Sequence, residues 1–252
     1  MTATVLKSRA IVRVAPRDGS GEDVRDFLQG LVTNDVSGAL PVYAALLSAQ
    51  GKAMFDFFVW DAGSDAVLLD CEADHADELV KRLSLYRLRR QIDIVRDPNM
   101  SVSWSSKPRD GAAIDPRLPA LGHRWIETVS GAMDTMDGAD KDYLAHRLGL
   151  GVTEGRDEIG DILWLETNAV ELNGVSFEKG CYIGQENTAR MNWRQKVNRR
   201  LVVVPFEASQ EKRRKAAYLG LALAVDHLRV ADLEPTELPA WQAAGIADKT
   251  DD

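Results

Sequence analysis

The sequence predicts an α+β protein with mostly antiparallel sheets, and three features carry that prediction. Residues 9–97 run in the order strand, helix, paired strands, strand, helix, strand. Two of these strands, VYAALLS and AMFDFFVW, are separated only by Ala49, Gln50, Gly51 and Lys52, a turn with glycine where a positive φ is needed. After Asp97-Pro98 the alternation of strand and helix begins again, more weakly.

The elements follow in order. Arg9 to Val14 (RAIVRV) is a short strand closed by the turn-rich PRDGSG. Ser20 then caps a helix whose first turn carries Glu22 and Asp23, where carboxylates suit the positive end of the dipole. Val24, Phe27, Leu28 and Leu31 give it one apolar face. The hairpin comes next, then the strand AVLLDC, a helix from Asp74 to Arg87 with Leu79, Val80, Leu83 and Tyr86 inward, and the strand QIDIV. Beyond Pro98, SVSW and HRWIETV are strands, and Asp140 to Leu148 is a helix ended by Gly149 and Gly151. The last part, LVVVPF, EKRRK and YLGLALAVDHL, gives strands joined by a basic turn and a frayed acidic tail. Three units result: residues 1–97, residues 98–200 and a small one over residues 201–252.

Composition narrows the function classes. The chain has 252 residues, 45% hydrophobic and 28% charged, enough for a full core without staples. A net charge of -8 argues against bulk nucleic acid or an anionic membrane surface as main partner. Nothing approaches the roughly 18 apolar residues of a membrane span, and MTATVLKSRAIVRV has no signal-peptide core. Cys71 and Cys181 do not make a disulfide framework, so a reducing, cytoplasmic setting is expected. His75, His123, His146 and His227 lack zinc-site spacing and any recognisable catalytic context, which discounts a Cys-His-Asp hydrolase. GLGVTEG follows a helix and lacks the strand-to-helix setting of a dinucleotide loop.

FEKGCYIGQENTAR, residues 177–190, is the most informative stretch. Cys71, in an apolar strand, reads as a small buried hydrophobe. Cys181 has Lys179 two residues before it and a helix start at Gly184 to Asn187 just after, and a cation and a helix N-terminus both favour a thiolate. Gly180 and Gly184 would let a ligand or partner approach the backbone closely. The competing reading is a buried structural cysteine. One thiol cannot hold an iron-sulfur cluster alone, so any cluster must be shared.

KGCYIGQE, with Arg190 four residues after Glu186, resembles the signature of the YgfZ family, folate-binding relatives of the glycine-cleavage T-protein that act in iron-sulfur cluster assembly and repair. FLQGLVTND (Phe27 to Asp35), GKAMFD (Gly51 to Asp56), YRLRRQIDI (Tyr86 to Ile94), DPRLPALGHR (Asp115 to Arg124) and YLAHRLGLGV (Tyr143 to Val152) follow the family's order of landmarks. The resemblance implies two α+β domains with antiparallel sheets and a small C-terminal β-barrel around a central channel. That barrel is either trimmed here or missing a segment, because the family has further strands between LVVVPFEAS and YLGLALA.

The resemblance also implies a function. It is a tetrahydrofolate-binding accessory factor for iron-sulfur carrier or client proteins, especially [4Fe-4S] enzymes of the radical-SAM type, with Cys181 and Lys179 at its chemical centre. Cys181 would be a redox thiol or a transient ligand of a shared cluster. Folate contacts are expected from Asn34, Asp35, Lys52, Asp56, Arg124, Glu166, Tyr182, Gly184, Gln185, Glu186 and Arg190. Several have plainer readings: Asp56 as a solvent-facing hairpin carboxylate, Asn34 and Asp35 as a turn cap, and Lys52 as turn decoration. Arg190, Arg194, Lys196, Arg199 and Arg200, interleaved with Trp193, either hold an acidic partner or folate tail or form a solvated face. A folate-dependent aminomethyltransferase is the alternative. Against it, the segment near GHRWIETV lacks the GYTGE-type motif, and WLETN sets Trp164 where T-protein has an arginine.

Overall fold

The computed structural model describes residues 4–63, 65–129, 138–193 and 197–247. Its largest layer is a five-stranded antiparallel sheet in the order β2-β3-β4-β1-β5, from β1 (Arg9–Pro16), β2 (Val42–Leu47), β3 (Ala53–Asp61), β4 (Val67–Glu72) and β5 (Ile92–Asp97). Helices α1 (Val24–Gln29) and α2 (Ala76–Arg87) cover one face, burying Phe27, Leu28, Leu79 and Leu83 against Phe55 and Phe57. The alternation of β3 sends Asp56 and Phe58 to the other face, toward the middle of the molecule.

The helix after the first strand begins later than its sequence suggests. Its cap is Asp23, whose side chain accepts from Asp26 N at 2.9 Å, and not Ser20. Arg90 decides this from a distance: it reaches Glu22 at 2.7 Å, Asp26 at 2.9 Å and the Asp23 carbonyl at 2.9 Å. Leu31 is buried as expected but lies beyond the helix.

A three-stranded sheet, β6-β8-β7, follows from β6 (Met100–Ser105), β7 (Ala113–Ile114) and β8 (His123–Thr128). Next come α3 (Asp140–Gly149), α4 (Arg156–Ile159), a 3-10 turn at Trp164–Thr167, and α5 (Gln185–Trp193). The C-terminal strands β9 (Arg199–Pro205), β10 (Arg214–Tyr218) and β11 (Leu223–Arg229) pair as β10-β11-β9. Among the described residues this is an open three-stranded sheet, not the closed barrel that the resemblance implies.

Among the described residues the chain after β11 is packed as far as residue 247, and the acidic end expected to fray, residues 248–252, lies outside them. Helix α6 (Ala240–Ala247) returns to the body: Gln242 donates to Leu201 O at 2.8 Å, Trp241 donates to Leu150 O at 2.9 Å, and Ile246 is buried. No helix among the described residues is long and apolar enough to cross a membrane.

Candidate functional site

Residues 179–184 of KGCYIGQE are irregular chain pinned at both ends, and Gln185 begins α5. Lys179 is buried, and its Nζ donates to Val32 O at 2.5 Å and Asn34 O at 3.0 Å while lying 5.1 Å from the Tyr182 ring centroid. Burial holds its ammonium down to about 8, with Asp35 opposing. Tyr182 is buried in turn, and after it Gly184 takes φ +80° against the β2-β3 turn. A Cβ at Gly184 would stand 2.5 Å from Ser48 O and 3.1 Å from Gly51 Cα, so only glycine fits. Asn187 donates to Gln50 O at 2.9 Å, tying α5 to the same hairpin.

Between the buried anchors Lys179 and Tyr182, Gly180 and Cys181 are exposed. The thiol is therefore displayed on a loop whose flanks are fixed. The geometry gives Lys179 a further role: its hydrogen bonds run to backbone carbonyls, which fasten the thiol loop to the turn after α1. Asn34 and Asp35 build that turn. Asn34 Nδ2 donates to Tyr43 O at 2.8 Å and Asn173 O at 2.7 Å, and Asp35 accepts from Ser37 and Gln29, with the Ser37 bonds chiefly holding its carboxyl below the usual range.

The remaining expected residues fall elsewhere. Arg190 pairs with Glu186 at 3.0 Å on the exposed face of α5, with Gln185 half-buried one residue earlier and Trp193 exposed at the helix end, edge-on to Phe177 at 6.4 Å. Arg194 and Lys196 lie outside the described residues. Arg200 is buried in a two-pronged pair with Glu171, both contacts at 2.8 Å, and so is no part of a basic surface. Lys52 pairs with Asp161 at 2.9 Å beyond the hairpin turn. Glu166 sits under the C-terminal sheet, with a carboxylate oxygen 2.9 Å from His227 Nε2.

Asp56 and Arg124 belong to a buried ionic hub in the middle of the molecule. Arg9 contacts Asp70 at 2.6 Å and Glu154 at 3.2 Å; Arg117 contacts Asp115 at 2.8 Å and Glu154 at 2.6 Å; Arg124 contacts Asp70 at 2.9 Å and Asp115 at 3.2 Å. Tyr143 donates to Glu154 and accepts from Arg124. The guanidiniums of Arg124 and Arg117 lie 4.2 and 4.7 Å from the Phe58 ring centroid. Against the cost of burial, these arginines hold Asp115 below and Glu154 well below the usual carboxylate range.

Asp56 is the exception in the hub. Its Oδ2 accepts from Tyr43 OH at 3.0 Å and Gly155 N at 3.4 Å, and its Oδ1 has no partner among the described residues. Burial, then Glu154, push this carboxyl up. Three arginines thus face three ion-paired carboxylates, and Asp56 is the carboxyl of the hub without an arginine contact. Beside it, Glu72 accepts from Arg156 N at 2.8 Å, and burial, then Asp56, push its carboxyl up to about 7.

These residues do not fit a pterin. Asp56 is only 3% exposed, Arg124 is 0% exposed, and the Arg124 and Arg117 guanidiniums lie over the Phe58 ring, so neither side chain offers an accessible edge. Trp164 is buried and donates to Gly174 O at 3.0 Å. The expected folate residues are divided among the thiol loop, the hub, the Lys52–Asp161 pair and the C-terminal sheet, and do not converge on one site. The hub was missed in the sequence, where its signal was a charge inside an apolar strand: Arg9 in RAIVRV and Asp70 in AVLLDC.

No protein-family model matches the chain. Curated relatives do. The human mitochondrial iron-sulfur cluster assembly factor IBA57 is 34% identical over 238 residues, covering 80% of this chain and 65% of that protein. The Neurospora crassa mitochondrial IBA57 homolog is 31% identical over 234 residues, covering 79% of this chain and 52% of that protein. Over most of its length the chain is thus similar to IBA57-type proteins, relatives of the YgfZ family that KGCYIGQE resembles. It spans between half and two thirds of the length of those relatives. Both are mitochondrial by name, as is the mouse protein, which overturns the expectation of a cytoplasmic setting drawn from cysteine usage. Aminomethyltransferase T of the glycine cleavage system from Bartonella henselae shares the fold, with a TM-score of 0.65 at 11% identity over 92% of this chain and 79% of that one.

Proposed function

We propose that this protein acts in iron-sulfur cluster assembly by offering Cys181 as one ligand of a cluster held jointly with a carrier protein and passed to client enzymes. The observation that carries this reading is the exposed thiol between two buried anchors. A cluster is commonly held by four thiolates, so a chain with one accessible cysteine must share it. Immobilised flanks serve this role, since they hold the sulfur in one place while a partner brings the remaining ligands. Ligation needs the thiolate and releases a proton on binding. The relatives named as assembly factors point to the same chemistry. Recipients with [4Fe-4S] clusters, including radical-SAM enzymes, belong to the proposal as clients. Nothing in the site favours an aminomethyltransferase, because a buried tryptophan stands where the arginine would be.

Mixing the protein with a cluster-loaded carrier and following visible absorption through gel filtration tests this. The wild type should co-elute with carrier and cluster together. Cys181→Ser, folded by circular dichroism, should release the cluster from the complex. Equal cluster retention by Cys181→Ser would overturn the proposal.

A further inference from the structure

The hairpin that braces the thiol loop also walls a groove of about 740 Å³. The groove runs between Lys52 to Phe55 of the hairpin, the outer face of α2, and Arg156. Its floor is apolar: Met54 and Phe55, with the Arg156 guanidinium 4.7 Å from the Phe55 ring centroid. Its lip carries Leu85, which is 66% exposed.

The charge around this floor opposes that of the whole protein. Lys52, Lys81, Arg82 and Arg156 face Glu78 and Asp161, four cations against two carboxylates, in a chain whose net charge is -8. Both carboxylates are taken, Glu78 by Arg156 at 2.6 Å and Asp161 by Lys52 at 2.9 Å. Lys81 and Arg82, adjacent on α2, have no ion-pair partner among the described residues. Two unpaired cations beside exposed apolar surface are the complement of a segment carrying carboxylates on one side and apolar side chains on the other.

We propose that this groove docks an acidic amphipathic segment of a partner protein. Carboxylates of the segment meet Lys81 and Arg82 while its apolar side chains cover Leu85, Met54 and Phe55. A protein segment is favoured over an anionic membrane because the groove is concave and the protein as a whole would be repelled from such a surface. Docking stands apart from the thiol and needs no cluster.

A fluorescein-labelled helical peptide with glutamate on one face and leucine on the other tests this by anisotropy, with a lysine-for-glutamate analogue beside it. The full-length protein should bind the acidic peptide and not the basic one. K81E/R82E should weaken binding at least tenfold, L85S should also weaken it, and C181S should bind as the wild type does. Equal binding of both peptides, no binding by the wild type, or binding indifferent to K81E/R82E would overturn the proposal. So would wild-type binding to phosphatidylglycerol vesicles, lost in K81E/R82E, in place of peptide binding.

Discussion

Replacing Glu72 with glutamine should stabilise the protein, and the gain should widen as pH rises. Glu72 is half-buried at the end of β4, and Asp56 and Glu154 lie near enough to add to the cost of ionising it. Burial first and then Asp56 raise its carboxyl from 4.5 to about 7. Between those values the native state holds the proton and the unfolded chain has lost it, so native stability falls as pH rises through the window. A window of about 2.5 pH units corresponds to about 3.4 kcal/mol, and solvent screening of a half-buried group reduces this to about 2 kcal/mol. Glutamine keeps an oxygen for the Arg156 N–H, which Glu72 accepts at 2.8 Å, and never ionises. Urea titrations from about pH 5 to about pH 8 should show the two proteins converging at the acid end and Glu72→Gln ahead by about 2 kcal/mol at the alkaline end. Parallel stability profiles, or a wild type that gains stability across this range, would refute the reasoning.

Other outcomes follow from the same geometry. Arg117→Met leaves Asp115 with Arg124 alone and takes one arginine from Glu154, and should cost about 3 kcal/mol by denaturant titration. Gly184→Ala places a Cβ 2.5 Å from Ser48 O at positive φ and should lower stability by at least about 2 kcal/mol, read as a drop in Tm. A thiol reagent should label Cys181 alone in the native protein and both cysteines in denaturant, because Cys71 is buried and its thiol is raised to about 12. Lys179, lowered from 10.5 to about 8, is bound to fewer protons in the native state within that interval, so its contribution to stability should grow with pH there; Lys179→Met should flatten that part of the profile.

What could be read in advance was local. The hairpin was legible because Gly51 punctuates two β-prone runs, and the thiol loop because KGCYIGQE carries its own signature. Helix α5 could be placed from the polar residues after Gly184. Contacts across long stretches of chain were not legible. Nothing near Lys179 in sequence says that its ammonium goes to carbonyls 147 and 145 residues away. The cap at Asp23 depends on Arg90, 67 residues later. Asp56 looked like a carboxylate on a hairpin, and only the tertiary fold shows it facing inward among arginines. Helix α6 hides in a segment whose charged flanks suggest a loose tail, and it forms because Trp241, Gln242 and Ile246 find the body of the protein.

The ionic hub draws its members from far apart in the chain: Arg9 and Asp70 from the large sheet, Asp115, Arg117 and Arg124 from around the small one, and Glu154 from the loop before α4. Cut the polypeptide anywhere between Asp70 and Asp115, and the Arg9–Glu154 and Arg124–Asp70 contacts are severed while each piece keeps ion pairs of its own. The two crossing contacts act as a lock between the pieces: a foreign replacement for either would have to present its charges in the same register to close it.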